Sequence, residues 1–286
     1  MLRMSELIYW ITERERMRLL REGGVKAPWS QDEIMNNTRF CNVRREDDKV
    51  TRWVRQEWGG WAHHKNYTLA MALARYINWI PSLEKIPFPE QWDPENLKSN
   101  LHEWMQQGYQ VFGPAYIIST NGRAMPKIDY VVDEVLDPLS TYAQTAPWEN
   151  RQIRSMCSLE EACGWLLKQN GIGSFMAGQI LADLKNTVGH PLTNAPDWFT
   201  WCAPGPGSKR GLNRLYGLDK DAPLRDSLFL ARIWALYDPL NGALEPNMFP
   251  IGLHMQDIQN CLCEFDKYIR VKEGGRAKSS YRAGKN

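Results

Sequence analysis

Long apolar runs are missing from this chain. None reaches the length of a helical membrane span, and the opening residues lack the pattern of a secretory leader, so a cytoplasmic location is expected. Cysteine is scarce and scattered. The six thiols, Cys41, Cys157, Cys163, Cys202, Cys261 and Cys263, form no C-x-x-C pair and have no histidine-rich partner cluster. That argues against structural zinc and for reduced, mostly buried thiols. Net charge is nearly absent too, with 35 Lys+Arg against 33 Asp+Glu. A wholly polybasic nucleic-acid binder is thereby excluded, and any charge that grips a nucleic acid has to be local. Period-two alternation is rare, and Tyr116-Ile117-Ile118 is too short a run to argue for a sheet. Internal repeats, flexible linkers and a G-x-x-x-x-G-K-S/T phosphate loop are also lacking.

What is present is helical punctuation. Leu7, Trp10, Ile11, Met17 and Leu20 keep helical spacing until Gly23-Gly24. Ser30-Gln31-Asp32-Glu33 has the form of a capping box. Leu69, Ala72, Leu73, Tyr76 and Ile80 line one face of a further helix that Pro81 stops, and Asp93-Pro94 opens another that Gln107-Gly108 closes. With 286 residues the chain can bury a large core. The thirteen Trp belong mostly to that core, and several are expected to line grooves or a pocket where the indole N–H finds a partner. The expected fold is all-α: one helical domain over 1–270 in two interlocked lobes, the hairpin lobe at about 100–215, and a basic, disordered tail at 271–286.

The stretch Cys163 to Trp201 organises the rest. Ser158-Leu159-Glu160-Glu161 matches S-x-x-E and starts a helix from Leu159 to Lys168. Asn170-Gly171-Ile172-Gly173 makes a tight turn, and a second helix from Ser174 to Leu184 follows, with Ser174 expected as its cap. Bare backbone beside a helix N-terminus is a ready phosphate site, so Gly171, Gly173 and Ser174 are candidate DNA contacts; an ordinary helical hairpin is the other reading. Asp197 follows after a loop.

Three further segments carry chemistry. Arg39 to Asp48 (RFCNVRREDD) gathers arginine forks suited to phosphate, or a charge cluster neutralised by its own acids. His63-His64 is weak as a ligand pair, because adjacent helical residues diverge. In Cys202 to Leu212, Ser208 is expected to start a helix with Lys209 and Arg210 in its first turn. Cations there oppose the helix dipole, so an anion is expected nearby, unless this is a plain surface turn. The last helix has an apolar stripe (Ile258, Leu262, Phe265, Ile269) and a polar one (Asp257, Asn260, Glu264, Lys267). The run from Lys267 to Asn286 is basic and reads as an arm able to lie along a phosphate backbone.

The order Gly171-Ile172-Gly173, helix, loop, Asp197 resembles the helix-hairpin-helix motif of the DNA base-excision glycosylases, with Asp197 at the position of their catalytic Asp. The gap to the acid is a few residues longer here, and Trp198-Phe199 follow it. RFCNVRREDD, VFGPAYIIS (Val111 to Ser119), NGIGSFMAGQILADL, APDWFTWCAPGPGSKRGLNRL and IQNCLCEFDKY, in that order over roughly residues 35 to 270, together resemble a phage thymidine-hypermodification family. Its members are called α-glutamyl/putrescinyl thymine pyrophosphorylases or amino acid:DNA transferases, and they are related to the helical domain of 5-hydroxymethyluracil DNA kinases.

The resemblance implies a helical, glycosylase-like scaffold that everts a base from double-stranded DNA carrying modified thymidine. On it an amino acid or polyamine displaces pyrophosphate from 5-pyrophosphoryloxymethyluracil. A separate DNA base kinase acts first, since the chain has no phosphate loop. For such a reaction Asp197 is the candidate catalytic residue, steering or deprotonating the ammonium or stabilising the charge on the methylene. Arg44, Arg45, Lys209 and Arg210 would serve pyrophosphate or DNA phosphate, Asn42 the base edge, and Glu264 with Lys267 the two ends of an amino acid. Glycine is the first amine to consider, with glutamate and putrescine open. Mg²⁺ assistance to pyrophosphate departure is open as well, with no carboxylate pair set up to hold the ion. For a virus-encoded chain the location is the host cytoplasm, with no membrane partner. Two other readings stand beside this one: a glycosylase acting on a modified base, and a non-catalytic DNA-binding module in which Asp197 caps a helix.

Overall fold

Helices make up every regular element among the described residues of the computed structural model, which are 2–116, 118–149 and 157–276; the all-α expectation holds. Ile117 and residues 277–286 of the basic tail lie outside them. In chain order the helices are α1 (Met4–Glu22), α2 (Glu33–Asn37), α3 (Lys49–Glu57), α4 (Tyr67–Ile77), α5 (Ile80–Leu83) and α6 (Pro94–Gln106). Next come α7 (Lys127–Asp129), a π-helical stretch (Tyr130–Leu136), α8 (Asp137–Tyr142), α9 (Leu159–Leu166) and α10 (Ser174–Lys185). The last are α11 (Pro206–Leu215), α12 (Asp226–Ala243) and α13 (Met255–Lys272). The chain divides into two compact units, Lys49–Trp198, and Met1–Asp48 together with Phe199–Asn286.

The capping logic is obeyed, with two corrections. Asp93 accepts the Asn96 N–H at 3.0 Å with Pro94 as first helical residue, and Gly23 closes α1. At the second helix the cap is Asp32, not Ser30. Its carboxylate takes the Ile34 and Met35 N–H groups, while the Ser30 hydroxyl accepts the Asp32 N–H and donates to Glu13. A carboxylate at the positive end of a helix outcompetes a hydroxyl for that place. The other correction concerns α4, which ends at Ile77, where Asn78 takes a left-handed φ of 46°; Pro81 instead sits in the first turn of α5. Every residue of α4 is buried, so it has no solvent face.

In the unit that joins the two ends of the chain, α1, α11 and α12 surround α13. Trp10, Ile11, Leu212, Phe229 and Ile233 close over Ile258, Leu262, Phe265 and Ile269, the apolar stripe read from the sequence, all fully buried. The closest approach is at Gly211, where an added Cβ would run into the Leu262 carbonyl of α13. Gly211→Ala is therefore expected to cost about 1–3 kcal/mol, read as a lower urea midpoint at unchanged slope. An unchanged midpoint would mean the two backbones do not touch there. Because α13 continues to Lys272, Lys267, Arg270 and Lys272 are helical rather than part of a loose arm.

Candidate functional site

The hairpin is built from both its ends. Ser158 launches α9 through a complete capping box, its Oγ accepting the Glu161 N–H at 3.1 Å and the Glu161 carboxylate accepting the Ser158 N–H at 2.9 Å. Gly171 turns at φ +75°, and an added Cβ would meet Val135 Cγ2 at 2.5 Å, so only glycine fits. Tyr76 Oη donates to the Gly171 carbonyl at 2.8 Å and fixes the turn. Gly173, in extended backbone, is the N-cap of α10, and among the described residues no side chain caps that helix. Ser174 is thus the first helical residue rather than the cap expected from the sequence. The start of α10 is offered outward without a side-chain acceptor, the arrangement a phosphate oxygen would complete.

Asp197 lies half-buried at the other end of the hairpin, and its two carboxylate oxygens accept the Leu159 N–H (2.7 Å) and Glu160 N–H (3.1 Å). It reinforces the Ser158 cap from outside the helix, where the dipole of α9 favours its negative charge. Next to it, Trp198 Nε1 donates to the Lys185 carbonyl at 3.1 Å. The buried Lys185 ammonium returns a bond to the Trp198 carbonyl (2.9 Å) and lies 4.0 Å over its ring. The loop between α10 and Asp197 is thereby closed on itself.

In the polar stripe of α13, Asp257, Asn260 and Glu264 are buried and Lys267 is half-buried. Asp257 Oδ1 accepts the Arg45 N–H (2.7 Å), Asn260 Nδ2 donates to the carbonyls of Asn42 (2.9 Å) and Val43 (3.3 Å), and Glu264 Oε2 accepts the Cys41 N–H (3.0 Å). Lys267 Nζ donates to the Arg39 carbonyl (3.2 Å) and pairs with Glu264 at 2.7 Å. From the other side Arg14 donates to the Cys41 carbonyl (3.0 Å) and to Asn42 Oδ1 (2.7 Å), and Asn42 Nδ2 donates to the Asp47 carbonyl (2.7 Å). An extended segment without a strand partner must find its backbone hydrogen bonds elsewhere, and this stripe supplies them. Asn42, Glu264 and Lys267, read as contacts for a base edge and an amino acid, instead hold the chain's own residues 39–47. Burial opposes the Lys267 charge, but the Glu264 carboxylate outweighs it and holds the ammonium pKa above its ordinary value. Arg45 is buried; the Arg44 guanidinium lies 3.6 Å from Glu46 and 5.9 Å over the Phe249 ring.

In the glycine-proline loop, α11 starts at Pro206 with Gly205 as cap. Ser208, expected to start the helix, is its third residue, its Oγ accepting the Gly205 N–H at 3.2 Å. Lys209 pairs with Asp226 at 2.5 Å, and Arg210 shares Asp266 with Arg214 (3.1 and 2.8 Å). The anion expected near these cations is supplied in part by the protein itself. Arg210 keeps 36% of its side chain exposed, so it retains donors for an outside ligand.

Sequence reading missed two features of the Lys49–Trp198 unit. One is a buried network in which Arg75 Nε and Nη2 engage both oxygens of Asp183, with Thr51 Oγ1 bonded to both partners. The signal was an arginine inside the otherwise apolar TLAMALARYI, a placement that requires a buried acid. The other is a cavity of about 620 Å³ among Trp53, Trp58, Trp61, Phe88 and several glutamates, foreshadowed only by the expectation that some Trp line a pocket. His63 and His64 diverge as read. His64 packs its ring against Trp61 and Phe88, while His63 lies beside Gly189. Among the described residues no three His, Cys, Asp or Glu side chains converge as a metal-binding group, and no helix is long and apolar enough to cross a membrane.

Residues 3–276 match the protein family described as 5-hmdU DNA kinase, helical domain. No curated protein and no solved structure matches the chain.

Proposed function

This chain belongs to the family of the 5-hmdU DNA kinase helical domain, and we propose that within it the chain is a DNA-modifying transferase that puts an amine on an activated pyrimidine. The substrate is 5-pyrophosphoryloxymethyluracil in double-stranded DNA. The amine lone pair forms a bond to the exocyclic methylene carbon while the carbon–oxygen bond breaks. Pyrophosphate leaves with the bonding electrons and can itself take the proton that the new ammonium sheds. The residues given contain no phosphate loop, which supports assigning the preceding phosphorylation to another protein or segment.

The observation that carries the DNA part of this reading is the uncapped start of α10 beside the Gly171 turn. The hairpin grips the phosphate backbone there, holding the strand while the target nucleotide is turned out. Lys209 and Arg210 remain candidates for taking up the charge of departing pyrophosphate or of a DNA phosphate. Asp197, fully engaged at α9, is better supported as the residue that positions the hairpin loop than as a free base.

Ser174→Pro isolates the grip. Proline is tolerated at the first helical position, and Gly173 already has the extended backbone that precedes it, but the substitution deletes one outward N–H. Fold and melting temperature should be kept while affinity for duplex DNA drops about tenfold or more, the worth of one hydrogen bond to a charged group. Unchanged affinity and salt slope would remove the hairpin from the DNA interface. The chemistry is tested by pyrophosphate release from 5-pyrophosphoryloxymethyluracil duplex. Release should require both protein and amine, and release that ignores the amine would contradict transfer.

A further inference from the structure

We propose that the cavity of about 620 Å³ in the Lys49–Trp198 unit binds an organic ammonium ion, and a diamine in preference to an α-amino acid. Its aromatic side is assembled from two distant segments. Trp61 stacks on Phe88 with ring centroids 4.9 Å apart and 5° between planes, Phe88 meets the edge of Trp58 at 6.0 Å, and Trp53 stands edge-on to Trp58 at 4.9 Å. Trp58 and Phe88 are buried and form the floor, while Trp61 is 36% exposed and lies open to a ligand.

The polar side is made of carboxylates. Glu57, Glu84 and Glu90 line the cavity, all three are exposed, and no cation or hydrogen-bond donor answers their side chains among the described residues. The buried acids Asp183, Asp266 and Glu264, by contrast, face Arg75, Arg210 with Arg214, and Lys267. Among the described residues no Lys or Arg lines the cavity. Three unanswered negative charges in a cavity that aromatic rings also line set a cation-seeking field and repel a phosphate, a nucleic-acid backbone or the carboxylate of an amino acid. A methylene chain with an ammonium at each end satisfies both sides, its carbons on the rings and its charges on the glutamates. Binding stands on this geometry alone; the role of the bound diamine as the transferred amine rests on the transferase reading above.

The test is a titration of the full chain with putrescine, followed by tryptophan fluorescence, with 1,4-butanediol and glycine as comparisons. Putrescine should give a saturable change that weakens with added salt, and neither comparison should match it. Glu57→Gln combined with Glu84→Gln, and separately the partly exposed Trp61→Ala, should each weaken putrescine about tenfold while circular dichroism stays that of the parent. Equal binding of the diol, or affinity unchanged by both variants, would overturn the site. In the transfer reaction the glutamine variant should raise the putrescine concentration needed for half-maximal rate and leave the rate at saturating putrescine unchanged. Binding with the stated dependence but no transfer of any amine would sink the transferase reading and leave the cavity assignment standing. Transfer of putrescine unaffected by variants that do weaken its binding would leave the transferase reading standing and show that the cavity does not supply the transferred amine.

Discussion

Replacing Asp183 by Ala is expected to remove about 3–5 kcal/mol of folding stability, because it strands the Arg75 guanidinium in the interior. Both side chains are fully buried, Arg75 on α4 and Asp183 on α10, with the Thr51 hydroxyl between them. The loss comes from an uncompensated charge rather than from the strength of the pair. Arg75→Leu together with Asp183→Leu should therefore cost less than Asp183→Ala alone, and a double-mutant cycle in urea would measure the difference. Since α10 carries the hairpin, the single variant should also lose DNA affinity at temperatures where it is still folded. If Asp183→Ala behaved like removal of an exposed acid such as Glu245, within about 0.5 kcal/mol, the pair would not be buried as described.

Acid should destabilise the protein through His190. Its ring is 1% exposed, Nδ1 accepts the Leu192 N–H at 3.2 Å, and Nε2 has no hydrogen-bond partner among the described residues. Burial, with His63 nearby, pushes its pKa from 6.5 down to about 3. In this range the unfolded chain binds a proton that the folded chain refuses. The contribution is therefore fully present above pH 6.5 and shrinks as pH falls towards 3. Acidification to about pH 4.5 should remove roughly 2–3 kcal/mol by this group alone. His190→Asn keeps a cap acceptor and cannot titrate, so its stability should fall less steeply between these pH values. Parallel curves for parent and variant would show that His190 is not held neutral.

How much of this was legible in the sequence depends on how local each signal is. Ser158 with Glu161, Asp93 with Pro94, and the Gly171 turn are short-range patterns with one physical solution, and the structure keeps all three. The apolar stripe of α13 was equally readable, because burial of Ile258, Leu262, Phe265 and Ile269 follows from spacing alone. The polar stripe was not. Periodicity shows that Asp257, Asn260, Glu264 and Lys267 share a face, but not that residues 39–45, more than two hundred positions away, lie against it. Asp197 shows the same limit in another form: an acid after a hairpin loop reads alike whether it works on a ligand or caps a helix 38 residues earlier. Arg75 with Asp183, and the aromatic cavity, required two segments to be brought together in space before their chemistry existed.

The claim that this chain transfers an amine to DNA is tested most directly by mass spectrometry of nucleosides. The protein is incubated with duplex carrying 5-pyrophosphoryloxymethyluracil and, in separate reactions, putrescine or glycine, and the DNA is then digested. The account predicts a thymidine nucleoside whose methyl carbon carries the supplied amine, formed only with protein present, and formed with putrescine at lower concentration than with glycine. Recovery of unaltered nucleosides, or of a free base and an abasic site, would contradict it.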